Sequence, residues 1–142
     1  MKTEKKFQEM RVAGIASDTR NMQPVVILRE VSGDRELYIW IGPVEAMALQ
    51  RAMSKEVFQR PLTHELLRNL LEKLDAQLEH IEIDDLKDHT YYATIYLKTS
   101  DSKLITLDAR PSDSLVLATW TGASIFVSER VIQGITETHI GE

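Results

Sequence analysis

Two aspartates and an arginine stand within six residues of one another in Leu107-Asp108-Ala109-Arg110-Pro111-Ser112-Asp113-Ser114, where a strand pattern gives way to a nearly all-apolar helix. Backbone N–H groups at such a junction have no intrahelical partner and carry the positive end of the helix dipole. Asp108 and Asp113 are therefore candidate ligands for Mg²⁺ or Mn²⁺, with Arg110 placed to hold a phosphate oxygen. Asp113 falls beneath Val116, Leu117 and Trp120 at i+3, i+4 and i+7, which predicts partial desolvation. A purely structural role is open to the same residues, because a first-turn acid complements the dipole and an Asp–Arg pair can fix a loop.

Glu45 has a similar placement. At 100° per residue it falls between Leu49 and Ala52 on the apolar side of its helix, an awkward position for a carboxylate unless it serves as a metal ligand, a general base or a first-turn acid folded back on its own N-terminus. His64 begins another helix in line with Leu67 and Leu71, beside Arg60 and Thr63. It is a candidate general acid/base or phosphate ligand, or a boundary histidine packed on leucine. Asp84, Asp85 and Asp88 cluster at a hairpin without the ligand order of a calcium loop, and turn formation accounts for them. His64-Glu65-Leu66-Leu67-Arg68 opens like a zinc-protease motif but ends in arginine, so the second histidine ligand is missing. There is no GxGxxG, P-loop or GxSxG motif.

The chain that carries these residues has 142 positions and a net charge of −5, which suits one domain and argues against a protein that clamps nucleic acid through a basic surface alone. Residues 1–60 hold ten Lys/Arg against eight Asp/Glu, and residues 61–142 hold seven against fourteen. The acidic second half is thus where carboxylate chemistry would sit. With no cysteine there is no disulfide, thiolate nucleophile or cysteine-based zinc site. Apolar runs are far too short to span a bilayer, and Met1 to Lys6 lead into no signal-peptide core, so the expected location is the cytoplasm.

Strand patterns fall at Met10–Ala16, Pro24–Val31 and Glu36–Ile41, the last alternating Leu37, Ile39, Ile41 with Tyr38, Trp40. Gly42-Pro43 introduces a helix over 43–57, and Thr63, as N-cap, a second that buries Leu66, Leu67, Leu70, Leu71 and Leu74. Three antiparallel strands follow at Gln77–Asp84, Thr90–Leu97 and Lys103–Asp108, then a deep helix from Pro111 to Trp120, a strand at Ala123–Val127, a helical turn at Glu129–Gln133 and a polar tail from Thr136. Tyr92 and Tyr96 share one face of their strand with Thr90 and Thr94, and Tyr91, Ala93, Ile95 and Leu97 take the other. These patterns predict a single α+β domain with a largely antiparallel twisted sheet flanked by about three helices. Its segments are a charged leader at 1–9, the domain at 10–132 and the tail at 133–142.

Ile39-Trp40-Ile41-Gly42-Pro43-Val44-Glu45-Ala46, Arg60-Pro61-Leu62-Thr63-His64-Glu65-Leu66-Leu67, Tyr91-Tyr92-Ala93, Leu107 to Ser114 and Gly122-Ala123-Ser124-Ile125-Phe126-Val127 together resemble the bifunctional nuclease domain family. The blocks occur in the same order over roughly residues 10–132. The resemblance implies degradation of both DNA and RNA and a compact α+β domain that forms homodimers. The matching polar positions are Glu45, Arg60, Thr63, His64, Asp108, Arg110, Ser112 and Asp113. Many members read Asp-Gly-Thr where this chain has Asp88-His89-Thr90. The expected function is a metal-assisted nuclease of low sequence specificity on single-stranded DNA or RNA. In it Asp108, Asp113 and Glu45 hold Mg²⁺ or Mn²⁺, Arg110 stabilises phosphorane charge and His64 is the acid/base, with Glu45 a further catalytic candidate. The alternative is a non-catalytic binding or regulatory dimeric domain in which the same residues lock loops.

Overall fold

A computed structural model describes residues 6–140. Its elements are β1 (Phe7–Ser17), β2 (Pro24–Glu30), β3 (Glu36–Trp40), α1 (Pro43–Ser54), α2 (Thr63–Lys73), β4 (Gln77–Lys87), β5 (Thr90–Lys98), β6 (Leu104–Ala109), α3 (Pro111–Thr121), β7 (Ser124–Ser128) and α4 (Glu129–Ile140). One seven-stranded sheet has the order β3-β2-β1-β7-β4-β5-β6. Every pairing is antiparallel except β4 with β7, so the architecture is α+β with a mostly antiparallel sheet. Sequence neighbours form hairpins at both ends of the sheet, and the late strand β7 closes the middle by pairing with β1 and β4.

Helix α3 is the hub of the core. Leu115, Val116, Leu117, Ala118 and Trp120 are all buried, as the near-continuous apolar run requires. The inward faces of the strands join the same core through residues such as Val26, Leu28, Ile81, Ile83, Ala93, Ile95 and Val127. Ile39 and Trp40 of β3 line the same groove as Tyr91 of β5, although four strands lie between them. In a flat sheet those strands would stand about 24 Å apart at ~4.8 Å per step, so the sheet curls strongly around α3.

Several boundaries and faces differ from the sequence expectation. Thr63 is the first helical residue and Leu62, in extended backbone, the N-cap, with no side-chain cap bond because a leucine side chain offers no acceptor. On α2, Leu66, Leu67, Leu70 and Leu74 are exposed and only Leu71 packs against the core. The helix turns His64 and Arg68 toward α3 instead, and its leucines face outward beside the exposed edge strand β6. Helix α1 stops at Lys55, which adopts a left-handed φ of 55°. α4 runs on to Ile140 through the stretch expected to be a polar tail, anchored by the buried pair Val131 and Ile132. Phe7, Gln8 and Glu9, expected in a leader, pair with β7, and Met1 to Lys5 of that leader, with Gly141 and Glu142 of the tail, lie outside the described residues.

Candidate active site

Two helices begin with the same local grammar. Gly42 and Arg110 are extended N-caps, Pro43 and Pro111 take the first helical turn, and Glu45 and Asp113 stand three residues after their caps. Proline fits there because its missing N–H would be unpaired in any case. The N-cap of neither helix, nor that of α2, makes a side-chain cap bond. At α3, the Ser114 hydroxyl and amide both donate to the Arg110 carbonyl, at 3.0 and 3.1 Å, which fixes the start of the helix.

The three helix starts meet through four side chains. Arg110 Nε donates to Asp113 Oδ2 at 3.1 Å and its Nη1 donates to Glu45 Oε2 at 3.3 Å. His64 Nε2 lies 2.9 Å from Asp113 Oδ1. The structure thus brings Glu45, His64, Arg110 and Asp113 into one chain of contacts spanning α1, α2 and the β6–α3 junction. Glu45 does not cap its own helix but reaches across to Arg110. Gly42 leaves room for this, since a Cβ there would lie 2.3 Å from Glu45 Oε1.

Burial pushes the Asp113 carboxyl up, but the donors His64 and Arg110 outweigh it and hold it below the ordinary aspartate value. The hydrogen bond to Asp113, its charge and then Glu45 raise the Arg110 guanidinium. An ionised Asp113 can only accept, so Nε2 of His64 must carry the hydrogen in that contact. Neutral His64 then presents Nδ1 as its lone-pair nitrogen, and Nδ1 has no hydrogen-bond partner among the described residues. This is the nitrogen of a potential general base, steered by a carboxylate at the other end of the ring.

Asp108 stands apart. It sits exposed on β6 opposite Thr94 and lines an apolar groove of about 610 Å³ with His64 and Asp113, without bonding to either. Asp113 and Glu45 each give an oxygen to Arg110, so a guanidinium occupies the space between the carboxylates. No group of three His, Asp or Glu among the described residues is arranged to hold a metal ion. As arranged, Asp108, Asp113 and Glu45 do not fit a shared Mg²⁺ or Mn²⁺ site. Of the other flagged residues, Thr63 lines the same groove, Ser112 is buried and Arg60 is exposed with no ion pair among the described residues.

Sequence reasoning passed over the rings beside this network. A second groove, of about 310 Å³, lies on the Glu45 side of Arg110 and is lined by Trp40, His89, Tyr91 and Ser112. Only the curl of the sheet brings β3 and the β4–β5 turn together, and no periodicity reports that. Glu65, buried in the first turn of α2, was likewise unmarked.

The profile of the bifunctional nuclease domain matches residues 26–138, which include all four networked side chains. An uncharacterized protein of Mycobacterium tuberculosis, in strain CDC 1551 / Oshkosh and again in strain ATCC 25618 / H37Rv, is 41% identical over 124 residues, covering 87% of this chain and 73% of the relative. With its α+β fold, its residue blocks and a match over residues 26–138, the chain belongs to the bifunctional nuclease domain family.

Proposed function

We propose that this protein is a nuclease that hydrolyses phosphodiester bonds in single-stranded DNA and RNA. The observation that carries this is the meeting of three helix N-termini without side-chain caps at Arg110, with a carboxylate-steered histidine alongside. Helix N-termini and an arginine suit a phosphodiester anion, and Arg110 is held from two sides so that its remaining N–H groups face outward without reorganisation. In the proposed step His64 Nδ1 takes a proton from the attacking water. The water oxygen bonds to phosphorus, the bond to the leaving sugar oxygen breaks, and that oxygen takes a proton from solvent. Asp113 positions His64 and Glu45 positions Arg110.

The test is cleavage of end-labelled single-stranded DNA and RNA by the full chain, in EDTA and with Mg²⁺ or Mn²⁺. Both substrates should be cut, and His64→Ala and Arg110→Ala should each lower kcat/KM about 100-fold or more with the fold intact. Dependence on added metal, lost in Asp108→Ala, would restore a cation to the mechanism; no cleavage under any condition would end the nuclease assignment. A non-catalytic reading draws on one fact: Glu45, Arg110, Asp113 and His64 satisfy one another across three helix starts, as a purely structural lock would. It requires that the same variants lower stability with no reaction to lose.

We further propose that two copies associate through the leucine face of α2 and the edge strand β6. Leu66, Leu70 and Leu74 of α2, with Ile105 and Leu107 of β6, are exposed, and Leu70 and Leu107 line one groove, an apolar surface that monomers seldom leave open. Light scattering should give twice the chain mass, and Leu107→Lys should give the monomer.

A further inference from the structure

The groove on the Glu45 side of Arg110 is lined by three aromatic residues, Trp40, His89 and Tyr91. Its volume of about 310 Å³ is at the small end of ligand pockets, room for one flat heterocycle. Trp40 is 44% exposed, yet it is not loose. Its indole N–H donates to Asp18 Oδ2 at 3.0 Å, and Asp18 is itself clamped by the amide and guanidinium of Arg20. Burying an indole stabilises a fold; fixing one at the surface does so much less, and leaves a π-face presented to solvent.

Tyr91 is half-buried at the same groove, and its hydroxyl has no hydrogen-bond partner among the described residues. Burial pushes that phenol up to about 12, so it stays a donor at neutral pH. His89 occupies the tip of the β4–β5 hairpin with φ of 64°, after Asp88 at 50°. Left-handed backbone at both positions makes this a turn that favours glycine second, yet an imidazole stands there and reaches the groove.

We propose that this groove is a subsite for one unstacked nucleobase, flanking the phosphate held at Arg110. Rings that offer a face suit any base, whereas a phosphate or a simple sugar has no π-face to meet them. A base stacked within a duplex cannot enter, so the subsite selects single strands or frayed ends. The proposal rests on the phosphate-binding part of the nuclease assignment, and its test reads binding rather than cleavage.

The experiment is a titration of the full chain carrying His64→Ala, with affinities read by isothermal titration calorimetry and quenching by tryptophan fluorescence, using adenosine 5′-monophosphate, ribose 5-phosphate and inorganic phosphate as probes. Trp120 is buried and serves as the internal reference. The nucleotide should bind about tenfold or more tighter than ribose 5-phosphate, with quenching. Trp40→Leu should abolish both the preference and the quenching, and Trp40→Phe, which keeps a ring, should retain most of the preference. Equal affinity for the three probes, or a preference unchanged in Trp40→Leu, overturns the subsite. A wild-type chain that binds the nucleotide through Trp40 but cuts no nucleic acid removes the nuclease assignment and leaves the subsite standing.

Discussion

Asp113→Asn separates the catalytic from the purely structural use of the network, and its size follows from the contacts. The carboxylate is about one-third exposed and accepts from His64 at 2.9 Å and from Arg110 at 3.1 Å. The imidazole side is sheltered and its bond is worth about 1–1.5 kcal/mol. The guanidinium is 64% exposed, so solvent screening cuts its share to about 0.2–1 kcal/mol. Asparagine keeps one acceptor oxygen and turns an N–H₂ group toward the second donor, so the expected loss is about 1–2 kcal/mol. For a chain of this length, with an unfolding entropy near 0.3 kcal/mol per kelvin, Tm should fall by about 3–7 °C. The sign of the pH dependence is fixed by the depressed Asp113 pKa. Its stabilisation is full above the unfolded-state value near 4 and disappears as pH falls through the depressed folded value, so the Tm gap should be widest near pH 7 and close as pH falls through that depressed value. Calorimetry of both proteins from pH 7 down into the acid range where the depressed carboxyl is protonated, beside the cleavage assay, decides the matter. No gap at neutral pH, or one that persists in acid, refutes an ionised Asp113 bridging two donors. The exposed, unbonded Asp108→Asn should shift Tm by no more than about 0.5 kcal/mol equivalent.

Gly42→Ala should cost less than about 1 kcal/mol, because its backbone is extended and the new Cβ displaces only the tip of Glu45, yet it should lower nucleic-acid cleavage as far as Glu45→Gln does. Full activity in Gly42→Ala with impaired Glu45→Gln would show that the displacement does not occur. His89→Gly should raise stability by about 0.5 kcal/mol by relieving the left-handed turn, while weakening nucleotide binding in the fluorescence titration. Glu129→Gln, which removes one of two carboxylates from Arg35 where the β2–β3 loop meets α4, should cost about 0.5 kcal/mol at neutral pH. The Arg35 hydrogen bond depresses the Glu129 pKa, so that difference should be present at neutral pH and disappear as pH falls through the depressed value in acid denaturation curves.

Local chemistry made much of this molecule readable. Alternation in β5 put Ala93, Ile95 and Leu97 inside and Tyr92 on the open face, because side chains alternate strictly along a strand. The all-round apolar stretch from Leu115 to Trp120 announced a buried helix, and the Gly42-Pro43 and Arg110-Pro111 pairs marked two helix starts, since φ restriction and the missing proline N–H act within a single turn. Glu45, His64, Arg110 and Asp113 were each conspicuous for the same local reason, a polar group at the start of an apolar helix.

What the residues met was settled only in three dimensions. α2 shows a strong leucine stripe, but a stripe states that a face wants cover and not which face the chain covers; packing turned His64 and Arg68 to α3 and left the leucines outside. Asp108 and Asp113 are five residues apart in sequence, yet the strand's pleat sets Asp108 on the open face opposite Thr94 while the helix turns Asp113 to His64 and Arg110. Insertion of β7 between β1 and β4, and the curl that follows, joined Trp40 to Tyr91 beside Arg110. Sequence determined the elements, because propensity, capping and alternation act over a few residues. Tertiary structure decided the site, because side chains from positions 40 to 113 share it only after a non-local strand pairing has closed the sheet.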